Sequence, residues 1–356
     1  MLIFDLILAT RRPEMTGVER YGVNLFEAVR KVRPDTIAFV RDTTPFSDER
    51  GLVMVDDVYR GWLSLPQNIH RRGLAPDAVV FPTAPASPLF HLSDVHLCRI
   101  AHDAFPWSWE RPMPWKGRLL YRYVENLMAR RYDNLLGTTQ PVAEDLRALF
   151  RRADIGCCGN APGLDVGGPA MRPGGAPDDF ILVVGTVEPR KDYDRLIDLV
   201  QKAPKDAPPI VLVGRPGWGE VVERIDQLAM GNPSRFLWLR DLEDDGLRWL
   251  YRHASCFLSL SLAEGFNMPL VESGVSGRAI VCSDIPIHRW VAPSWAAFIR
   301  QDDNAERIWT ALQTATQPER AQVEVYRQKY SWDSVAARLL DLVASHRMAE
   351  RRFRAC

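Results

Sequence analysis

Short apolar runs alternate with segments of helical periodicity along most of the chain. In the first half, runs that predict buried strands lie near residues 2–8, 36–41, 78–82, 95–101 and 134–138. In the second half, they lie at residues 180–185, 209–214, 235–239, 255–260 and 279–282. The segments between them carry apolar residues at helical spacing. This alternation is typical of an α/β fold with doubly wound, Rossmann-like parallel sheets.

A change of composition separates the two halves. Residues 159–177 contain six Gly and four Pro, which is typical of a linker. The length of 356 residues also exceeds what one hydrophobic core usually supports. We therefore predict two domains, residues 1–160 and 179–332, joined by a linker over 161–178 and followed by a closing helix over 333–356.

The overall composition restricts the function. With 45 basic and 45 acidic side chains, the chain has no net charge that would attract nucleic acid. No apolar run reaches the roughly 18 residues that a membrane span needs, and Met1 leads directly into the first predicted strand. We therefore expect no membrane span, no signal peptide and a cytoplasmic location. The six cysteines form no C-x-x-C pair, so we expect buried, reduced thiols rather than a metal site or disulfides.

Two carboxylates at a predicted loop-to-helix junction are the most informative chemical feature. On one continuous helix, Glu264 and Glu272 would lie roughly 12 Å apart along the axis. Pro269 instead fits the first turn of a helix, so Glu264 lies on the preceding loop and Glu272 just inside the helix. The free N–H groups of Asn267 and Met268 would then face an anion such as a diphosphate. The alternative is one solvent-exposed glutamate followed by one that caps a helix start.

A second phosphate-type element lies upstream. The predicted strand at 180–185 ends in Gly185 and is followed by Arg190, Lys191 and a helical segment. Ligands of open parallel sheets bind at the carboxyl ends of the strands. Arg offers a planar fork and Lys a point charge to phosphate oxygens. The alternative is a pair of solvated surface cations.

Segments in both halves resemble the motifs of a known enzyme family. Those of the second half are Gly185-Thr-Val-Glu-Pro-Arg-Lys191, Glu264-Gly-Phe-Asn-Met-Pro-Leu-Val-Glu272 and Cys282-Ser-Asp-Ile-Pro-Ile-His-Arg289. In the first half, Thr16-Gly-Val-Glu-Arg-Tyr21 and His102-Asp103 are similar to the family's first glycine loop and central His-Asp segment. The family is that of the retaining glycosyltransferases called group 1 or family four. The resemblance covers nearly the whole chain and implies the GT-B fold, in which two Rossmann-like domains face each other across a cleft.

The resemblance also implies a role for each matching residue. Glu264 would face the transferred sugar, with His102 near it, and Glu272 would bind the ribose of the donor nucleotide. Arg190 and Lys191 would hold the diphosphate. The absence of a Cβ at Gly17 would let the first loop approach the phosphates. The implied catalytic residues are Glu264, His102 and Lys191, and the implied donor-binding residues are Gly17, Arg190, Lys191, Glu264, Gly265, Phe266, Asn267, Met268 and Glu272.

The same resemblance implies the domain roles and the reaction. Residues 1–160 would bind the acceptor and residues 179–332 the nucleotide-sugar donor, and the helix 333–356 would pack back toward the first domain. The reaction would be the retaining transfer of a hexose, with GDP-mannose as the expected donor. The acceptor would be a glycan or a lipid-linked glycan in cell-surface polysaccharide or lipopolysaccharide synthesis. No Asp-x-Asp pair follows a predicted strand of the second half, so we expect metal-independent catalysis without a cofactor beyond the substrate.

Aromatic and basic residues are concentrated in two segments, residues 107–123 and the tail Arg351-Arg-Phe-Arg354. Basic amphipathic stretches bind anionic membrane surfaces. These segments therefore predict peripheral contact with the inner face of the plasma membrane, which would suit a lipid-linked acceptor. The alternative is a solvated helix face beside a core aromatic cluster.

Three other functions are consistent with these residues. A UDP-sugar-dependent glycosyltransferase would use the same motifs. A nucleotide-sugar epimerase would share the fold but needs acid and base groups placed for proton transfer. A non-catalytic sugar-nucleotide-binding assembly subunit would not need Glu264, Lys191 and Glu272 together. Product formation distinguishes these alternatives.

Overall fold

The structure is a computed structural model that describes residues 1–12, 15–108 and 119–354. The chain divides into two compact units. Unit 1 consists of Met1–Gly163 and Ser331–Cys356, and unit 2 consists of Leu164–Tyr330. None of the helices in the described residues is both long enough and apolar enough to cross a membrane.

In the described part of unit 1, seven parallel strands form one sheet in the order β3-β2-β1-β4-β5-β6-β7. Ile3 pairs with Ile37 on one side and with Val79 on the other, which sets the register at the centre of the sheet. The central strands are buried, as expected for a parallel sheet that is covered on both faces. The strands are β1 (Leu2–Asp5), β2 (Ile37–Val40), β3 (Leu52–Met54), β4 (Ala78–Phe81), β5 (Leu97–Ala101), β6 (Asn134–Gly137) and β7 (Gly156–Cys157).

Helices cover the sheet of unit 1. The first helix begins at Gly17 and buries Tyr21 and Leu25 on its apolar stripe. The closing helix packs on it, and the rings of Tyr21 and Trp332 meet edge to face with centroids 5.3 Å apart. The helices are α1 (Gly17–Val32), α2 (Val58–Leu63), α3 (Leu65–Arg71), α4 (Phe105–Ser108), α5 (Glu125–Met128), α6 (Gln140–Phe150) and α14 (Trp332–Arg354), with a 3₁₀ turn at Pro88–Leu92 and a π-helical turn at Leu119–Val124.

The sheet of unit 2 has six parallel strands in the order β10-β9-β8-β11-β12-β13. Cys256 pairs with Ile181 on one side and with Ala279 on the other. The strands are β8 (Ile181–Val184), β9 (Ile210–Val213), β10 (Phe236–Leu239), β11 (Cys256–Ser259), β12 (Ala279–Ser283) and β13 (Ala297–Ile299). The helices are α7 (Tyr193–Gln201), α8 (Val221–Gly231), α9 (Asp244–His253), α10 (Met268–Val275), α11 (Pro286–Val291), α12 (Ala305–Thr314) and α13 (Arg320–Lys329), with a 3₁₀ turn at Pro189–Lys191.

The strand order reverses once in each sheet. In unit 2 the chain runs outward from β8 through β9 to β10, then returns to β11 and continues through β12 to β13. Right-handed crossovers place α7 and α8 on one face of the sheet and α9 and α10 on the other, and the helices of each pair contact one another. The loops after β8 and β11 therefore diverge and leave a crevice of the kind in which such sheets bind ligands. Unit 1 has the same reversal of strand order between β1 and β4. The place where the order reverses is called the break in each sheet.

The predicted pair of doubly wound parallel sheets is confirmed, but several strand limits differ from the prediction. The first strand ends at Asp5 rather than at residue 8, because the chain turns at once and Thr10 N–H donates to the Leu6 carbonyl at 3.0 Å. The edge strands β3, β7 and β13 were not predicted. They are only two or three residues long, which is too short to show a periodicity.

Replacement of Gly214 by Ala tests the close contact between the loops after β8 and β9. Gly214 has φ of +156°, and a Cβ there would lie 2.0 Å from the Gly185 carbonyl oxygen. We expect Gly214→Ala to lower the free energy of unfolding by at least about 2 kcal/mol, because backbone cannot move aside as a side chain can. Chemical denaturation measures this. Gly174→Ala is the control, since a Cβ at Gly174 meets nothing within 4 Å, and equal stability of the two variants would contradict the contact.

Candidate active site

Two loops at the break in the unit 2 sheet carry most of the predicted donor residues. The loop after β8 contains the 3₁₀ turn in which Arg190 and Lys191 are adjacent. The loop after β11 contains Glu264 and leads into α10. The Leu262 N–H donates to the Arg190 carbonyl at 2.9 Å, so a backbone hydrogen bond joins the two loops.

Glu264 forms ion pairs with both cations. Its Oε2 lies 2.5 Å from Arg190 Nη1, and its Oε1 is paired with Lys191 Nζ. Arg190 also forms an ion pair with Glu188. Glu188 and Glu264 are only 5% and 8% exposed. The cluster therefore holds two cations and two carboxylates in a largely buried place, and their formal charges cancel.

Glu264 is ionised in this environment. Burial alone would raise the pKa of its carboxyl group. The charges of Arg190 and Lys191, with hydrogen bonds from Lys191 and from Ser261 Oγ at 2.7 Å, outweigh burial and hold the pKa well below its usual value. An ionised carboxylate accepts hydrogen bonds from hydroxyl groups but has no proton to give. Glu264 is therefore not a general acid near neutral pH.

The start of α10 has an unusual backbone conformation. Asn267 precedes the helix with φ of 69°, in the left-handed region that Asn tolerates better than most residues. Its Oδ1 accepts a hydrogen bond from the Leu270 N–H at 3.3 Å and so caps the helix. The Phe266 ring packs on Tyr330 with centroids 5.8 Å apart and belongs to the core, whereas Gly265 and Met268 are partly buried.

Glu272 lies one turn into α10 and is 6% exposed. Its Oε1 accepts a hydrogen bond from the Leu164 N–H at 3.0 Å, and its Oε2 accepts one from the Tyr251 hydroxyl at 2.7 Å. Each carboxylate oxygen has a second lone pair, so the group can accept further hydroxyl donors. Tyr251 thus orients Glu272 from the neighbouring helix α9.

His102 and Gly17 belong to unit 1. His102 follows β5, and its Nε2–H donates to the Pro82 carbonyl at 2.7 Å, which leaves Nδ1 as the accepting nitrogen. Burial outweighs the effect of this hydrogen bond and, with the nearby charge of Arg99, lowers the pKa of His102 to about 4, so the ring is neutral at pH 7. Gly17 is exposed at the first position of α1.

A cavity of about 280 Å³ lies at the break in the unit 1 sheet. His102 lines it, together with the buried ion pair between Arg99 Nε and Glu125 Oε2 at 3.1 Å. Arg99 and Glu125 are 3% and 2% exposed. Thr83 also lines the cavity, and its buried hydroxyl has no hydrogen-bond partner among the residues that the structure describes. The cavity is therefore lined by buried polar groups, one of them an ion pair and one a hydroxyl.

The sequence-predicted residues thus form two groups. Arg190, Lys191 and Glu264 are in direct contact in unit 2, with Glu272 in the helix that follows. Gly17 and His102 lie in unit 1. Within the described ranges, no three His, Cys, Asp or Glu side chains form a group that could hold a metal ion. Residues 109–118 of the aromatic and basic segment, and the side chains of the tail 351–354, lie outside the described residues.

Sequence reasoning missed four residues of these clusters, which are Glu188, Tyr251, Arg99 and Glu125. Glu188 belongs to a quoted motif, but nothing in its spacing shows that it pairs with Arg190. Tyr251 lies on the apolar stripe of α9 and is indistinguishable in sequence from a core residue. Arg99 and Glu125 are 26 positions apart in the sequence. Arg99 lies within a segment that predicts a buried strand, and Glu125 lies well after it.

The fold is that of an α/β protein with two Rossmann-like units, and in unit 2 an ionic cluster lies where the strand order reverses. Residues 174–332 match the family model described as glycosyl transferases group 1. This segment makes up most of unit 2, and over it the chain is similar to the group 1 glycosyltransferases. The resemblance inferred from the motifs is confirmed.

Curated relatives of this chain are mannosyltransferases. The serotype-specific mannosyltransferase WbdA of Escherichia coli is 24% identical over 252 residues, which are 60% of this chain and 30% of that protein. The O-antigen chain mannosyltransferase B of Escherichia coli is 34% identical over 112 residues, which are 30% of this chain and 29% of that protein. The chain thus spans less than a third of the length of these two relatives.

Solved structures share the fold over nearly the whole chain. The Anabaena Alr3699/HepE structure in complex with UDP-glucose is 14% identical, with a TM-score of 0.73 over 97% of this chain and 99% of that one. At this identity the likeness concerns the fold alone. The predicted GT-B fold class is confirmed.

Proposed function

We propose that the chain is a retaining, metal-independent glycosyltransferase that moves mannose from GDP-mannose to a glycan or lipid-linked acceptor in cell-surface polysaccharide or lipopolysaccharide synthesis. The observation that carries the proposal is the contact of Glu264 with Arg190 and Lys191 at the break in the unit 2 sheet. The names of the two curated relatives support mannose as the sugar and an O-antigen glycan as the product.

The diphosphate of the donor is assigned first to Lys191 and the N terminus of α10. Lys191 ends in a compact charge that can turn toward a phosphate oxygen, and the helix start adds partial positive charge. Arg190 is held more firmly, because it donates to the Ala263 carbonyl at 2.8 Å and pairs with both Glu188 and Glu264. Its main task is to orient Glu264, and its charge adds to the field around the diphosphate.

The proposed transfer exchanges one bond at the anomeric carbon for another. The bond to the diphosphate oxygen breaks, the acceptor hydroxyl oxygen forms the new bond on the same face of the sugar, and its proton passes to the departing diphosphate or to water. Negative charge grows on the departing diphosphate, and Lys191, Arg190 and the helix N terminus stabilise it because they are in place beforehand. Glu264 accepts hydrogen bonds from the sugar hydroxyls. These roles hold for front-face attack and for a covalent step alike.

A panel of nucleotides and sugar nucleotides tests the proposal. We expect GDP to raise the melting temperature more than UDP, ADP or dTDP, since a ligand at 100 times its dissociation constant stabilises the fold by about 2.7 kcal/mol. We also expect GDP-mannose to be hydrolysed slowly, or to donate mannose to an oligosaccharide. A larger rise in melting temperature with UDP would indicate a UDP-sugar as the donor. An epimerised sugar nucleotide, or nucleotide binding without turnover of any donor, would overturn the transferase assignment.

Glutamine variants separate the roles of the two glutamates. Glu264→Gln removes the charge between Arg190 and Lys191, so we expect turnover to fall by about 10²- to 10³-fold while GDP binds at least as tightly. Glu272→Gln should weaken GDP binding by about tenfold, because a hydrogen bond to a charged group is lost at the ribose. Calorimetric titration measures both affinities. Glu223→Gln, at an exposed position of α8, is the control, and unchanged GDP affinity in Glu272→Gln would refute the ribose assignment.

The unit 1 cavity is the candidate site for the sugar of the acceptor. It combines the Thr83 hydroxyl and the Glu125 carboxylate with the rings of Trp107 and Tyr121. The Trp107 indole N–H donates to Asn126 Oδ1 at 2.9 Å, which fixes the ring. A sugar offers hydroxyls to polar groups and apolar C–H faces to aromatic rings. The cavity therefore fits the uncharged end of a glycan.

Replacement of Thr83 by Val tests this site. Valine keeps the shape but removes a hydroxyl that the cavity leaves available, so we expect KM for the acceptor to rise about three- to tenfold with donor hydrolysis unchanged. Thr36→Val is a matched control, because Thr36 is also buried with no hydroxyl partner among the described residues and does not line the cavity. Equal effects of the two variants on the acceptor KM would contradict the assignment.

A surface of unit 1 supports peripheral membrane contact. Leu92 at the end of the 3₁₀ turn and Leu127 in α5 are 86% and 54% exposed, and the turn contacts α5. Tyr123 is 60% exposed, and Arg122 and Arg130 are exposed as well. Exposed apolar and basic side chains together suit the interface of an anionic bilayer. We propose that this surface brings the enzyme to a lipid-linked acceptor.

Co-sedimentation with lipid vesicles tests the contact. We expect binding to vesicles that contain phosphatidylglycerol, weaker binding to pure phosphatidylcholine, and a loss of about tenfold or more in the double variant Leu92→Ser/Leu127→Ser, since each buried leucine contributes about 1.5–3 kcal/mol. Met230→Ser, at a 75% exposed position of unit 2, is the control. Binding that is unaffected by the double variant would refute this surface.

A further inference from the structure

A chain of buried polar side chains connects α11 with Glu264. Its members are His288, Asn267, Ser259 and Ser261, which are 0%, 5%, 7% and 1% exposed. His288 belongs to α11, Asn267 caps α10, and the two serines lie at the end of β11 and just beyond it. Buried polar groups of this kind are stable only when their hydrogen bonds are satisfied.

The protonation of His288 follows from its contacts. Its Nδ1 lies 2.8 Å from the Ser283 carbonyl oxygen, which can only accept, so Nδ1 carries the proton. The neutral ring then accepts at Nε2, which lies 2.8 Å from Asn267 Nδ2. The orientation of the Asn267 amide agrees, because its oxygen caps Leu270 N–H. Burial lowers the pKa of His288 to about 4, so this form persists at pH 7.

Each later hydrogen bond in this series also has only one possible assignment of donor and acceptor. Asn267 Nδ2 uses its second proton to donate to Ser259 Oγ at 2.9 Å. Ser261 Oγ donates to Glu264 Oε1 at 2.7 Å. The Ser259 hydroxyl therefore donates to Ser261 Oγ across 3.4 Å, the longest link. The chain begins at an accepting nitrogen of His288 and ends by delivering one donor to the carboxylate.

A second path reinforces the first. The Ser283 hydroxyl donates to the Ser261 carbonyl, and the Ser283 carbonyl accepts from His288. Ser283 ends β12, so the imidazole and the serine that contacts Glu264 are both tied to the same strand end. The position of Ser261 thus depends on His288 through two sets of hydrogen bonds.

We infer that His288 is a positioning residue of the donor site, which in its neutral form orients the Asn267 amide and, through Ser259 and Ser261, the Glu264 carboxylate. The inference rests on the proposed role of Glu264. A ring protonated at Nε2 would direct an N–H group at the N–H of Asn267, and the chain would break at its first link. Full turnover therefore requires the neutral ring.

The charges around His288 come from three elements. Glu264 on the loop after β11 favours the protonated ring, and Lys191 on the loop after β8 opposes it. On the side of α11, Asp284 and Arg289 form an ion pair at 2.6 Å with each other. Turnover should thus fall at low pH as His288 becomes protonated. This decrease, the acid limb of the pH profile, should be absent when residue 288 cannot titrate.

A double-mutant cycle tests the inference. His288→Leu and Ser261→Ala should each lower turnover by about tenfold or more with little change in GDP affinity, since each removes part of a chain that ends on a charged group. The double variant should resemble the more severe single variant. His288→Gln, which offers an acceptor to Asn267, should recover most of the turnover and lose the acid limb. Additive losses, or a Gln variant as impaired as the Leu variant, would overturn the inference.

Three further measurements keep the test decisive. If His288→Leu does not fold, Ser259→Ala replaces it in the cycle, because it breaks the same chain with a smaller change of volume. His253→Gln is the control, since His253 is exposed and its contacts are with Trp249 of its own helix, through a hydrogen bond to the carbonyl and stacking of the two rings. Nitrogen-15 NMR of the imidazole reports the protonated nitrogen without any enzymatic turnover. A charged ring or an Nε2–H form at pH 7 would refute the positioning role even if the proposed transferase activity itself proved wrong.

Discussion

The buried ion pairs of Glu264 with Arg190 and Lys191 are the interaction on which the unit 2 site depends. The loops after β8 and β11 part at the break in the sheet, so no strand pairing holds them together there. Charges placed in a largely buried position stabilise a structure only when every partner is well oriented. The hydrogen bond from Leu262 to Arg190, the left-handed Asn267 and the close approach of Gly214 to Gly185 all supply that orientation. The site is thus a set of backbone constraints built around one carboxylate.

Local sequence patterns were enough to predict the longer strands and the loop-to-helix junction at Pro269. These features depend on residues that are neighbours in sequence, and Pro and Gly restrict the backbone wherever they occur. The partners of the charged groups could not be predicted in the same way. Glu264 lies 73 positions from Lys191, and the Leu164 N–H that binds Glu272 lies 108 positions away from it. Such pairs are set by the strand order, which a single sequence does not reveal.

The two units place different ionic side chains at equivalent positions of their sheets. Each has a strand-order reversal, and each places ionic side chains beside it. In unit 2 the carboxylate is shared by two cations on a loop. In unit 1 the Arg99–Glu125 pair arises from a strand and a short helix and is almost fully enclosed. A buried imidazole lies near each cluster, His102 in unit 1 and His288 in unit 2. Burial favours the uncharged form of the ring in each place. Rossmann-like sheets thus supply the location, and the side chains decide which ligand chemistry is possible.

The cancellation of charge in the Glu188, Arg190, Lys191 and Glu264 cluster has a consequence for selectivity. An anion that approaches the crevice meets cations that already have carboxylate partners, so inorganic phosphate gains little from electrostatic attraction alone. A donor that carries both a diphosphate and a sugar brings negative charge for the cations and hydroxyl groups for Glu264 at once. Under the proposed function, the cluster binds a donor that carries both groups more tightly than it binds a diphosphate or a sugar alone. Discrimination against the abundant free phosphates of a cell would then follow from the ion pairs themselves, without a lid or a further recognition element.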